Sequence, residues 1–342
     1  ATEGSPEQYC IRVRQSDEKR LDLVSFGMVD AAAVDALATK LGREGVQLIS
    51  EPGTLQTMGG GYGFRFFDGD GRTVEVSADV ATRQHRAIEE GESIPVRLSH
   101  TVFNSPDIAK TRAWWETHLG FKHSDSLWSE HMGEMMHFMR CNDWHHSLAI
   151  AVGPHASVHH VSFELRGLDE YLYGTGRVMR AGVKKIWGPG RHHAGNNTFS
   201  YFLDPSGNTM EYTTELQRLE TDEWHPSIYD IADPDTQDLW GIADPMSELI
   251  AKESFNDPEA CSSRPRCDAA IRAGLPGRPG KPLLVGRSFG RQAQALTDKS
   301  RSPVRTTDQA GAQMRLRDKV VVVTGAARGQ GAEEVRALAA EG

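Results

Sequence analysis

Apolar and polar residues alternate in short stretches along this chain, and the stretches come in a recurring order. Residues 8–13 and 21–28 alternate as strands, with a turn at Asp17-Glu18-Lys19-Arg20 between them. Residues 29–42 carry Val34, Leu37 and Leu41 at helical spacing, and Gly42 is a stop signal. Residues 46–49 read as a further strand. Residues 62–67 and 73–76 read as a hairpin around Asp68-Gly69-Asp70-Gly71. The same order, strand, helix, then three strands, follows twice more. Its second occurrence is 98–104, 108–119, 121–126, 135–140 and 147–152. Its third is 160–165, 168–181, 184–188 and a hairpin over 199–212. At the second helix, Ser105 is expected at the N-cap, with Pro106 at the first helical position and Asp107 in the first turn.

Two of the hairpins match letter by letter. Phe66-Phe67-Asp68-Gly69-Asp70-Gly71-Arg72-Thr73-Val74-Glu75-Val76 parallels Phe202-Leu203-Asp204-Pro205-Ser206-Gly207-Asn208-Thr209-Met210-Glu211-Tyr212. Upstream, Leu23-Val24-Ser25-Phe26 parallels His160-Val161-Ser162-Phe163. Leu23 serves the scaffold where the later copy has His160, so packing does not require the histidine. A third strand start carries His100. If paired units curve around a shared cavity, His100, His160 and Glu211 converge. Two imidazoles and one carboxylate on one face leave open coordination positions, a pattern suited to non-haem Fe(II). Asp204 and Asn208 are assigned to turn geometry.

Composition narrows the field. The chain has 342 residues, a formal net charge of -9 and 14 histidines, most of them between residues 100 and 193. The negative charge argues against a nucleic-acid surface. No apolar run approaches the ~20 residues of a membrane span, and residues 1–4 lack a signal-peptide layout. Cys10, Cys141, Cys261 and Cys267 form no CxxC pair, which favours reduced thiols and a cytoplasmic setting.

The motifs Leu98-Ser99-His100, His145-His146-Ser147-Leu148-Ala149, His159-His160-Val161-Ser162-Phe163, Gly190-Arg191-His192 and Tyr201-Phe202-Leu203-Asp204-Pro205-Ser206-Gly207-Asn208 with Glu211 together resemble the catalytic domain of extradiol ring-cleavage dioxygenases. That group, containing catechol 2,3-dioxygenases and dihydroxybiphenyl dioxygenases, lies within the vicinal oxygen chelate superfamily. The resemblance implies an α+β fold of tandem βαβββ modules, with curved, cup-like mixed sheets around a metal site. It implies His100, His160 and Glu211 as ligands of Fe(II), with Mn(II) as the alternative. His146 matches the pocket histidine beside the oxygen site, with His145 as fallback, and His192 and Tyr201 match the pair that contacts the substrate hydroxyl. The implied partners are a small aromatic diol and O2, in a homo-oligomer, with neither nucleic acid nor membrane. The expected reaction is meta-cleavage of a catechol to a hydroxymuconic semialdehyde-type product. Other readings of the same scaffold are a glyoxalase-type isomerase with a different divalent metal and a non-catalytic binding module. His146, His192 and Tyr201 together favour ring cleavage.

The domain layout expected on this basis has four parts. Residues 1–92 resemble an incomplete N-terminal non-catalytic domain that lacks the family's first unit. Residues 97–255 form the metal-binding domain with its C-terminal extension. Residues 256–316 are rich in Arg, Pro and Gly and read as a basic flexible linker. Residues 317–342 hold Val320-Val321-Val322-Val323 and Thr324-Gly325-Ala326-Ala327-Arg328-Gly329-Gln330-Gly331, which resembles the opening βα unit of a short-chain dehydrogenase. A lone βα unit cannot bury its strand, so a truncated unit without NAD binding is expected. Trp144, Met136, Phe138 and Trp187 are candidates for an aromatic pocket, and His155, His159 and His193 for groups behind the metal ligands.

Overall fold

The structure, a computed structural model, describes residues 3–15, 19–219, 223–244, 246, 250, 254–259 and 319–324. Two mixed sheets carry the architecture. Among the described residues one sheet has six strands and the other nine.

The first sheet holds one βαβββ module: β2 (Leu21–Gly27), α1 (Ala31–Arg43), β3 (Gly53–Thr54), β4 (Tyr62–Phe67) and β5 (Thr73–Ala78). Asp30 caps α1 by accepting a 2.7 Å hydrogen bond from the Ala33 amide. Val34, Ala38 and Leu41, at helical spacing, are the residues α1 buries. The expected strand over 46–49 is not formed. Its backbone bonds irregularly to β4, through Ile49 N to Arg65 O and Phe67 N to Gln47 O, with one bridge at Leu48–Phe66. β1 (Ile11–Gln15) and β15 (Lys319–Thr324) complete the sheet; β15 runs antiparallel to β1 and parallel to β2. The strand expected over 320–323 is therefore present. The glycine-rich turn and helix expected after it, and the linker over 260–318, lie outside the described residues.

The second sheet holds two modules. The first is β6 (Arg97–Ser105), α2 (Ile108–Leu119), β7 (Lys122–Ser129), β8 (Gly133–Arg140) and β9 (Leu148–Val152). The second is β10 (Ser157–Glu164), α3 (Gly167–Arg180), β11 (Lys185–Arg191), β12 (Thr198–Leu203) and β13 (Thr209–Thr214). They join where β6 and β10 pair antiparallel. At α2 the cap is Asp107, not Ser105: its carboxylate accepts from Lys110 N at 3.1 Å, and the Ser105 hydroxyl instead accepts from Asp107 N and meets Thr111. Gly120 ends the helix in the left-handed region, where the missing Cβ removes the penalty.

The repeat seen in the letters is a repeat of register. Val24 pairs with Val74 and Ser25 with Glu75; Val161 pairs with Met210 and Ser162 with Glu211. One continuous core links Phe26, Phe64 and Phe66 of the first sheet through Trp115 of α2 to Phe103, Leu148 and Ile150 of the second. Alternation along each strand then turns the other set of residues, His100 and Val102 on β6 for example, toward a cavity. A C-terminal extension with β14 (Ser227–Asp230) and α4 (Pro234–Gln237) closes that cavity, contributing Ile231, Thr236, Gln237 and Phe255. Among the described residues no helix is long and apolar enough to cross a membrane.

Candidate metal centre

Three adjacent strands, in the order β13-β10-β6, build the centre. Ser162 on β10 pairs with Glu211 on one side and His100 on the other, so these three residues form one row across the sheet. His160 lies two residues back on β10 and shares their face. The small Ser162 side chain leaves room for the flanking side chains to lean together above it. Donor atoms of His100, His160 and Glu211 all lie within 4.8 Å of one another, and all three residues are buried. His100 Nε2 is 2.9 Å and His160 Nε2 3.3 Å from Glu211 Oε2.

The contacts are close but not aligned as hydrogen bonds. Among the described residues, neither Glu211 oxygen nor His160 Nε2, all buried, has a hydrogen-bond partner. Leaving such atoms bare in a protein interior costs about 1–3 kcal/mol each, which is a reason to expect something between them. The far ring nitrogens are engaged: His100 Nδ1 meets Ser99 Oγ at 3.2 Å, and His160 Nδ1 meets His159 Nδ1 at 2.7 Å. Such contacts behind the ring orient the free nitrogen toward a cation. Burial alone would push the Glu211 carboxyl up, but the two imidazoles hold it well below the usual carboxylate range. Burial holds His160 below its ordinary value. An ionised carboxylate and a neutral imidazole are the forms that bind a divalent ion, and the donor set fits one with open positions.

A cavity of about 380 Å3 opens beside these atoms. His146 reaches it from the loop before β9, its ring centroid 4.2 Å from that of His100. Burial, then the neighbouring histidines, hold His146 well below its ordinary pKa. His192 also lines the cavity, its Nε2 3.2 Å from the Tyr201 hydroxyl. His192 Nδ1 is 3.0 Å from the Gln237 carbonyl, an acceptor, so Nδ1 carries the proton and Nε2 of the neutral ring accepts from Tyr201. Burial lowers His192 to about 4 and, with Glu211, raises Tyr201 well above its ordinary value.

Residues 97–212 match the Glyoxalase/Bleomycin resistance protein/Dioxygenase superfamily. The chain is 38% identical to a Mn(II)-bound glyoxalase of known structure from Novosphingobium aromaticivorans, covering 73% of this chain and 80% of that one with a TM-score of 0.68. The chain belongs to the Glyoxalase/Bleomycin resistance protein/Dioxygenase superfamily. It is also 27% identical to metapyrocatechase 2 of Cupriavidus necator, over 69% of this chain and 77% of that protein. It is 26% identical to biphenyl-2,3-diol 1,2-dioxygenase of Metapseudomonas furukawaii, over 68% and 78%.

In this superfamily member the six residues singled out from the sequence, His100, His160, Glu211, His146, His192 and Tyr201, all border the one cavity. Met136, Phe138 and Trp187 border it too. Trp144 does not; Arg97 and Arg218 stack over its ring at 4.2 and 5.1 Å. His155 bonds the Asn256 carbonyl and His193 packs on Tyr229, neither contacting His100, His160 or Glu211 in these interactions. His159 does stand behind one: a register shift between Val158 and His160 lets both consecutive histidines reach the cavity side, while Val158 and Val161 stay in the core. The sequence reading missed Asp125, which bonds His145 at 2.8 Å, and Gln237, whose carbonyl orients His192. Asp125 lies twenty residues from its partner, and a backbone carbonyl has no letter, so neither leaves a local signal.

Proposed function

We propose that this superfamily member is an Fe(II)-dependent extradiol dioxygenase that opens a catechol-type ring beside the diol with O2, giving a hydroxymuconic semialdehyde-type product. The observation that carries the reading is the buried trio His100, His160 and Glu211, with unpartnered donor atoms, at the wall of a cavity that also presents His146, His192 and Tyr201. A cavity of about 380 Å3 lies within the range of small-molecule sites, roughly 300–1,000 Å3. Bound Fe(II) would supply adjacent open positions for a diol and O2 and lower the pKa of a coordinated hydroxyl.

The chain's own residues do the rest. Val102, Met136 and Phe138 offer an apolar wall for the ring and exclude water. The raised pKa of Tyr201 keeps its proton on at neutral pH. A diol proton is taken up by the Tyr201–His192 pair, Tyr201 passing its own proton to His192 Nε2 as it receives the substrate's. His146, kept neutral by burial, accepts and returns a proton on the oxygen side. Loading the protein with Fe(II) without oxygen, then adding a diol and air, should give a yellow product. Absence of colour with catechol, methylcatechol and dihydroxybiphenyl alike would sink the reading.

Similarity to the Mn(II)-bound glyoxalase favours a second reading, isomerisation with Mn(II). Conversion of a 2-oxoaldehyde–thiol adduct by the Mn(II)-loaded protein, with no oxygen consumed, would select it.

A further inference from the structure

Behind His146 runs a buried line of polar groups that the proposed reaction does not use. His145 Nδ1 lies 2.9 Å from His146 Nδ1, and His145 Nε2 lies 2.8 Å from Asp125 Oδ2. Asp125, His145 and His146 are 1%, 0% and 3% exposed. The other Asp125 oxygen, Oδ1, accepts a 2.7 Å hydrogen bond from Ser227 N at the start of β14. His145 is gripped on its remaining sides. Its amide donates to the Gln217 carbonyl, Trp224 packs edge-on at 6.3 Å, and Gly195 comes so close that a Cβ there would lie 2.9 Å from His145 Nδ1.

Proton bookkeeping along this line has one outcome when His145 carries a single proton. An ionised carboxylate only accepts, so His145 Nε2 carries a proton and donates it to Asp125. The Nδ1 atom of a neutral His145 then has a lone pair. The short contact to His146 Nδ1 needs one proton, which His146 must supply. We propose that Asp125 and His145 are a positioning pair that holds His146 as the Nδ1–H tautomer, leaving the Nε2 lone pair for the cavity. The C-terminal extension is part of this device, because β14 supplies the amide that fixes which Asp125 oxygen faces His145. The same amide predicts what an asparagine would do. With Oδ1 retained by Ser227 N, the Asn amide nitrogen would face His145 Nε2 and donate to it. The pattern then reverses, and His146 carries its proton on Nε2.

The kinetic consequence rests on the ring-cleavage reading; the tautomer does not. The test is nitrogen NMR of the histidine-labelled full chain, metal-free and Zn(II)-loaded, with His146 assigned by loss of its signals in His146→Gln. The expected wild-type result is a protonated Nδ1, a bare Nε2 and a coupling through the hydrogen bond between the two Nδ1 atoms. Asp125→Asn should invert the tautomer and, in the Fe(II)-loaded enzyme, lower kcat by about 10²-fold with little change in KM. A wild-type His146 protonated on Nε2 overturns the proposal, and that spectrum decides even if Asp125→Asn fails to fold. An unchanged tautomer in a folded Asp125→Asn overturns it as well. A colourless diol assay with Nδ1-protonated His146 would discard the reaction and leave the positioning pair standing.

Discussion

Glu75 and Glu211 occupy the same point in two copies of one hairpin, in the same register with the preceding parallel strand. Both are buried, at 2% and 0% exposure. Glu75 is fully partnered: Ser25 Oγ donates to one oxygen at 3.1 Å, and the Arg65 guanidinium holds the other at 2.8 Å. Glu211 has the corresponding serine, Ser162, whose buried hydroxyl has no partner among the described residues. Tyr201 stands where Arg65 does, each paired across the hairpin with its glutamate. The third difference comes from outside the module. β10 has β6 beside it to present His100, whereas β2 has β15. The fold supplies a buried carboxylate twice; what sets Glu211 apart, and makes its surroundings a candidate metal centre, is the absence of a cation paired across the hairpin and the presence of two imidazoles.

The largest effect should come from Glu211→Ala, which removes the only anion of the trio. Bound metal, measured by elemental analysis of protein purified with iron, should fall from about one per chain to near zero, whereas Glu75→Ala should retain it and lose about 1–3 kcal/mol of stability instead. Equal metal loss in both variants would break the comparison. Next, His160→Leu copies Leu23 into the later module. It should cost at least 10²-fold in metal affinity by titration, while unfolding midpoints hold or rise because an unpartnered buried nitrogen goes. Tyr201→Phe should keep metal and lower kcat for a diol about 10-fold to 10²-fold.

Acid sharpens the contrast in the metal-free chain. Burial depresses His192 from 6.5 to about 4, so between those values the unfolded chain binds a proton that the folded one does not. Its contribution is fully present above pH 6.5 and is lost as pH falls toward 4, roughly 3 kcal/mol in all. His192→Gln should make the fall of the denaturation midpoint across that window shallower, the other buried histidines keeping the remainder. The smallest effect belongs to Leu23→His, which should bind no metal, since Arg65 still neutralises Glu75.

The features legible in the sequence were those written locally. The Phe-x-Asp to Glu spacing repeats because the hairpin turn repeats: Arg72 and Asn208 each reach back to the aspartate four residues before. Four of the six candidate residues, His100, His160, Tyr201 and Glu211, lie within β6, β10, β12 and β13, whereas His146 precedes β9 and His192 follows β11, each carried by a short local motif. Residues 46–49 were misread because Val46 and Leu48 pack against the core, giving an apolar pattern without a regular ladder. Ser105 and Asp107 are both good caps, and only the engagement of Ser105 Oγ with Thr111 and Asp107 N separates them. The doublet His145-His146 did not say which ring faces the cavity; that depends on Asp125, brought in by strand pairing.

Arg72 carries a further consequence. From the tip of the first sheet's hairpin it holds Asp68 and Asp70, donates to the Asn104 carbonyl and lies 4.7 Å over the Phe103 ring. Asn104 in turn donates to Ser157 on β10. The strands that present His100 and His160 are thus tied to each other and to a guanidinium from the sheet without a metal trio. Anyone grafting this centre into a smaller scaffold would have to carry that hairpin with it, because the smallest transferable piece is larger than the set of residues facing the cavity.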